Sequence, residues 1–261
     1  MNILKQMVGA VAVILLSTLV AAQEPDWHAA NQYYDATEMA AAKHHLLHHH
    51  GAHRLLFLEA DRLEYQSNDG ESLAVWDAQG YYGTDFNKLW LKSEGDYQAE
   101  PGKLEEAELQ LLYGRSVSPY FDLQLGMRHD FEPRPVTTYG VLGAQGLAPL
   151  WFEIDTAAFL SEKGDVTVRV ESEYDLLLTQ RLILQPRLEL EAAAQDVEAL
   201  GLGSGLTAAE LGVRLRYEVD RHFAPYLGVV WQDLFAGTAD RAGPGEGSPI
   251  ISCVAGVRAW Y

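Results

Sequence analysis

The run Glu210-Leu-Gly-Val-Arg-Leu-Arg-Tyr-Glu-Val-Asp220 decides the fold class. Successive side chains of an extended strand point to opposite faces. Leu211, Val213, Leu215, Tyr217 and Val219 therefore share one face, and Glu210, Arg214, Arg216, Glu218 and Asp220 share the other. One face wants hydrocarbon, and the other wants water or counter-charges. The division recurs in Val166, Val168 and Val170 against Arg169, Glu171 and Glu173, and in Leu182, Leu184, Leu188 and Leu190 against Gln185, Arg187, Glu189 and Glu191. It appears again in Phe121, Leu123, Leu125 and Met127 against Asp122, Gln124, Arg128 and Asp130. Turn residues separate these segments, which number about twelve between Arg54 and Tyr261, with ten as the lower bound.

A soluble lipocalin-type barrel also alternates along every strand, but it keeps its apolar face inside. Here the inward face would carry Lys92, Glu94, Asp96, Glu106, Glu108, Arg115, Arg128, Asp130, Glu153, Asp155, Arg169, Glu171, Glu173, Asp175, Arg181, Arg187, Glu189, Glu191, Arg214, Arg216 and Glu218. Side chains of both signs in such number pair across a lumen and nearly fill it, so structural ion-pair ladders outweigh a selective ion path. The aliphatic face then belongs in lipid. Aromatic residues near strand ends (Trp76, Tyr81, Tyr82, Trp90, Tyr97, Tyr120, Trp151, Tyr226, Trp231, Trp260) fit interfacial girdles. The last segment, with Ile251, Cys253, Ala255, Val257 and Ala259 on one face, closes on Tyr261 in the manner of a terminal barrel strand. On this register Cys253 is a small lipid-facing hydrophobe. Pro186 falls inside a strand and predicts an irregularity there. The sequence thus predicts an all-β fold, an antiparallel transmembrane β-barrel of outer-membrane type preceded by a short His-rich extension.

The start of the chain fits export. Lys5, an apolar run from Val8 to Val20 and small Ala21 and Ala22 read as a signal peptide over 1–22, cut before Gln23. Elsewhere no run approaches the roughly 18 apolar residues a spanning helix needs, so any membrane crossing is by strands. The remaining layout is an extension over 23–53 and a barrel over 54–261. A lone Cys253 forbids an internal disulfide. The net charge of −18 argues against nucleic acid and favours cations as partners, although acidic loops also serve solubility.

The densest chemical signal precedes the barrel. Met39-Ala-Ala-Ala-Lys43 leads into His44, His45, His48, His49, His50 and His53. If this Ala-rich stretch is helical, His44 with His48 and His45 with His49 are i,i+4 pairs able to share a metal. Imidazole suits Cu(II), Zn(II) and Ni(II) alike, and Met39 offers one soft thioether suited to Cu(I). A solvated tail or a pH-responsive cluster are the plainer readings of such a tract. Catalytic signals are weak. His129 beside Asp130, with Glu132 nearby, lacks a G-x-S-x-G elbow or an H-E-x-x-H helix. His222 sits at a strand edge, and Gly201-Leu-Gly203-Ser-Gly205 reads as a hairpin loop.

Four stretches resemble the outer-membrane copper resistance protein B family: Gly83-Thr-Asp85-Phe-Asn-Lys88-Leu-Trp-Leu-Lys92-Ser-Glu94-Gly95, Gly146-Leu-Ala-Pro149-Leu-Trp151-Phe-Glu153, Glu173-Tyr-Asp-Leu-Leu-Leu-Thr-Gln-Arg181-Leu-Ile-Leu-Gln-Pro186 and Phe223-Ala-Pro-Tyr226-Leu-Gly228. The resemblance implies an outer-membrane barrel working in copper tolerance alongside a periplasmic multicopper oxidase or other copper carriers, with the N-terminal segment in the periplasm. It assigns no catalytic residues. Family members often carry a longer extension rich in Met, whereas Met39 stands alone here, which favours Cu(II) over Cu(I). The expected function is sequestration or export of copper. The alternative is a porin-like diffusion channel in which the His tract is incidental.

Overall fold

The computed structural model describes residues 30, 33–50, 53–68, 71–100, 102–242 and 248–261; the expected signal peptide over 1–22 lies outside them. The chain divides into two compact units, Met1–Leu55 and Leu56–Tyr261.

In the first unit, helix α1 spans Ala36–His50. Asp35 starts it, its Oδ1 accepting from the Thr37 amide at 2.6 Å. That hydrogen bond, joined by the Glu38 amide, holds the exposed Asp35 carboxyl below the usual carboxylate range. Alanine at positions 36 and 40–42 suits helix. No apolar stripe develops: of the α1 residues whose side chains are described, Met39 alone is partly covered and the rest are exposed.

The second unit is a barrel of antiparallel strands: β1 (Leu55–Asn68), β2 (Glu71–Gly83), β3 (Asn87–Gln98), β4 (Lys103–Ser116), β5 (Phe121–Glu132), β6 (Thr137–Ala148), β7 (Phe152–Ser161), β8 (Val166–Glu173), β9 (Leu176–Leu177), β10 (Leu182–Ala193), β11 (Gly205–Tyr217), β12 (Phe223–Leu234) and β13 (Ile250–Trp260). Each pairs with its sequence neighbours, and β8 and β9 are two pieces of one stave, both paired to β10. Pairing of β13 with β1, from Glu59 opposite Trp260 to Ser67 opposite Cys253, closes a twelve-stave barrel. Closure pairs every strand but the two-residue β9 on both sides, which suits lipid.

The gap between β8 and β9 locates the irregularity expected at Pro186. Pro186 keeps its register with Val213 of β11, so β10 is regular on that side at the proline and shifts only farther on, between Glu191 and Ala192. Its carbonyl accepts from Tyr174 N at 3.1 Å, which puts its donorless nitrogen on the same side, toward the stave that breaks. The irregularity therefore falls on the neighbour and not in the strand that holds the proline.

One end of the barrel, where β1 begins and β13 stops, carries short turns over 84–86, 117–120, 149–151, 178–181 and 218–222. The other end carries the longer segments over 194–204 and 235–249. There helix α2 (Ala236–Arg241) locks the two segments together. Gly203 N donates to Thr238 Oγ1 at 2.9 Å, and Arg241 reaches Leu202 O at 3.0 Å and Asp196 Oδ2 at 2.8 Å. The Ser204 amide, with Arg241, holds the Asp196 carboxyl below the usual range. A Cβ on Gly203 would lie 2.6 Å from the backbone of Gly237, so this contact needs glycine.

Candidate functional site

The outward face is aliphatic as expected: Leu89, Leu91, Leu125, Met127, Leu142, Leu211, Val213, Leu215, Leu227 and Cys253 are all exposed there. The inward face is a charged network centred on arginines. Arg187, 1% exposed, meets Glu171 at 2.8 Å, Glu173 at 3.1 Å, Glu189 at 2.8 Å and Glu210 at 3.0 Å. Arg169 binds Glu94 at 2.7 Å, Glu191 at 3.0 Å, Glu108 at 3.2 Å and Glu189 at 3.6 Å. Arg62 binds the same Glu94 at 2.6 Å from another wall and continues to Asp77 at 3.4 Å and Glu210 at 3.6 Å. Arg128 joins Glu108 and Asp130, Arg214 joins Glu64, Arg258 joins Glu59 and Asp61, and Lys92 joins Asp155. These are the expected ladders.

Three expected inward residues lie elsewhere, and four expected girdle aromatics turn inward. Arg115 is exposed on the outward parity of β4, at the turn-bearing end, while Arg181 and Glu218 lie in turns. Trp90, Tyr226, Trp260 and Tyr81 are not girdle residues; they share inward parity with Lys92, Ala224, Arg258 and Gln79. Trp90 packs with Leu112, Tyr139, Val141 and Phe159 into an apolar wall inside the lumen, partly backed by Tyr81. Arg128 lies 4.6 Å over the Phe159 ring and Lys92 5.7 Å over Trp90, so this wall seats cations on aromatic faces.

Arg62 and Asp61 were missed because β1 shifts register between Ala60 and Leu63. Such a bulge interrupts alternation and turns two consecutive residues toward the lumen. Arg258 was missed as a single charge in an otherwise apolar strand.

Among the described residues, three chambers stand out in the lumen. The largest, about 480 Å³, opens at the turn-bearing end beside Tyr120 and Glu153. A second of about 300 Å³ lies toward the long-loop end beside Asp233 and Ser248, and a third of about 140 Å³ lies beneath Leu200 and Leu202. All three border Glu94 and Arg169.

The expected metal ligands belong to the other unit. α1 carries Met39, His44, His45, His48, His49 and His50, and His53 follows it. His44 and His48 stack with ring centroids 6.3 Å apart and planes 26° apart, the i,i+4 juxtaposition the sequence implied. The side chains of His49 and His50 lie outside the described residues, so the His45 with His49 pair does too. Met39 is five positions before His44, about 140° around the helix, and does not share that face. Among the described residues, no three His, Cys, Asp or Glu side chains converge as a ready metal shell.

The family described as copper resistance protein B precursor (CopB) matches residues 54–261. The chain belongs to the copper resistance protein B family. Copper resistance protein B of Escherichia coli is 43% identical over 218 residues, covering 83% of this chain and 72% of that protein. The copper resistance protein B homolog of Pseudomonas syringae pv. tomato is 42% identical over 207 residues, covering 78% and 69%. Among solved structures, the NanC porin superposes with a TM-score of 0.52 at 12% identity, covering 78% of this chain and 99% of the porin. That likeness concerns the fold alone. Family membership and barrel together place this CopB-family chain in the outer membrane and in copper resistance.

Proposed function

We propose that the chain is a non-enzymatic copper-capturing protein whose barrel anchors a periplasmic histidine segment in the outer membrane. In this reading 1–22 is a removed signal peptide, 23–53 is the periplasmic extension and 54–261 is the barrel. His44, His45, His48, His49, His50 and His53 take up copper, with Met39 as an auxiliary thioether, and sequester it or pass it outward. A periplasmic multicopper oxidase or copper carrier is the partner that delivers or receives the ion. Membership of a copper-resistance family is the observation that carries the proposal. The stacked His44 and His48 pair supports it, because neutral imidazoles four residues apart can ligate one ion. A donor set of imidazoles with a single thioether suits Cu(II) better than Cu(I).

The test is copper and zinc stoichiometry, by titration with elemental analysis, for the refolded mature protein and for a variant with all six histidines changed to Ala. The expected result is preferential copper binding that the variant loses. Equal binding by both proteins would move the site out of the extension and overturn the proposal.

A further inference from the structure

The two halves of helix α1 are unequal as helix. Asp35 starts the first half by accepting from the Thr37 amide, and Ala36, Ala40, Ala41 and Ala42 supply the best helix-forming residue. The second half, 44–50, consists of five histidines and two leucines, and histidine is among the weaker helix formers. Burial does not make up the difference. Leu46 is 46% exposed, and among the described α1 side chains Met39 alone is partly covered. A helix of 15 residues without a packed apolar face is marginal in water, because most helical stability in proteins comes from such packing.

The same half carries the means to fix itself. His44 and His48 stack across one helical turn, with ring centroids 6.3 Å apart and planes 26° apart. An ion shared by both rings clamps that turn. The clamp closes best on helix, since positions i and i+4 stand about 6 Å apart along a helix axis and about 13 Å apart in an extended chain. A ligand that prefers one conformation shifts the chain toward it, and by the same linkage that conformation raises the affinity for the ligand.

We propose that copper capture drives a coil-to-helix transition in residues 44–50, so that loading with the ion changes the shape of the segment. The inference rests on the capture reading and adds its conformational consequence. Seven residues reach about 23 Å when extended and about 10 Å as helix. The empty segment therefore searches a wider volume, and the ion draws it in. Loaded and empty chains thereby differ in shape, which gives a delivering or receiving partner a feature to tell them apart.

The test is amide hydrogen exchange by mass spectrometry on the full mature chain in detergent, with and without saturating Cu²⁺, run beside a copper titration. We expect exchange within 44–50 to slow at least tenfold on loading, with little change in the barrel strands. His48→Ala opens the clamp and should abolish that slowing while the remaining histidines still take up copper. Leu46→Pro breaks the turn between the two rings without removing a ligand, and it should weaken copper affinity at least tenfold. Leu46→Ala, which suits helix, should stay within about twofold of wild type. Copper that binds the segment with unchanged exchange, or with equal affinity for Leu46→Pro and Leu46→Ala, would overturn the coupling and leave capture standing. Absence of copper binding to the segment would overturn both.

Discussion

Arg187 shows what a single residue does in this lumen. Its guanidinium lies among four carboxylates from three strands, and its side chain is 1% exposed. Taking an arginine out of water costs several kcal/mol, and only complete pairing offsets it. The converse is that Glu171, Glu173, Glu189 and Glu210 tolerate one another only because Arg187 is there. Arg187→Gln keeps hydrogen bonding but strands like charges, and removal of one partner from such a buried set costs about 3–5 kcal/mol. Urea titration of the detergent-refolded barrel should show a clearly lower midpoint. An unchanged midpoint would mean that lumen water already screens these carboxylates. Arg187 and its four partners were each legible from parity in alternating strands; what parity did not give is the register that sets them side by side on β8, β10 and β11.

At the scale of the element, alternation made the outer face readable and bulges limited the inner one. The faces of β5, β8, β10 and β11 follow directly from the polarity of their residues. Arg62 escaped because the shift between Ala60 and Leu63 breaks the period of two, and Trp90 was misplaced because an aromatic near a strand end suits an interfacial girdle as well as a lumen wall. What the pattern did not carry is the pairing of aromatics with glycines on neighbouring strands. The Trp76 ring covers Gly95, where a Cβ would stand 2.4 Å from that ring and 2.4 Å from the Glu106 carbonyl oxygen. The second clash is with backbone and has no inexpensive escape. Gly95→Ala should therefore destabilise the barrel by about 1–3 kcal/mol, the usual cost of overpacking. Gly140→Ala is the control, its nearest heavy atom being 4.0 Å away. Unfolding followed by tryptophan fluorescence should separate the two variants, and equal midpoints would show that β3 shifts freely.

For the whole molecule the open question is whether the barrel conducts. A porin-like fold alone does not decide this, because barrels of similar size are either filled or open. Here Glu94 of β3 is held from one side by Arg62 of β1 and from the other by Arg169 of β8, and that junction borders every chamber described. We expect these pairs to obstruct conduction. We expect the mature protein in planar bilayers to show little current. Arg169→Gln should raise unitary conductance severalfold and favour cations, since carboxylates outnumber cationic side chains in both larger chambers. Glu94→Gln releases both arginines at once and provides a second route to the same opening if the first variant inserts poorly. A large, unselective current through the wild type would show that the ion pairs do not seal the lumen, and the diffusion-channel alternative would replace capture by the histidine segment as the better account of the barrel.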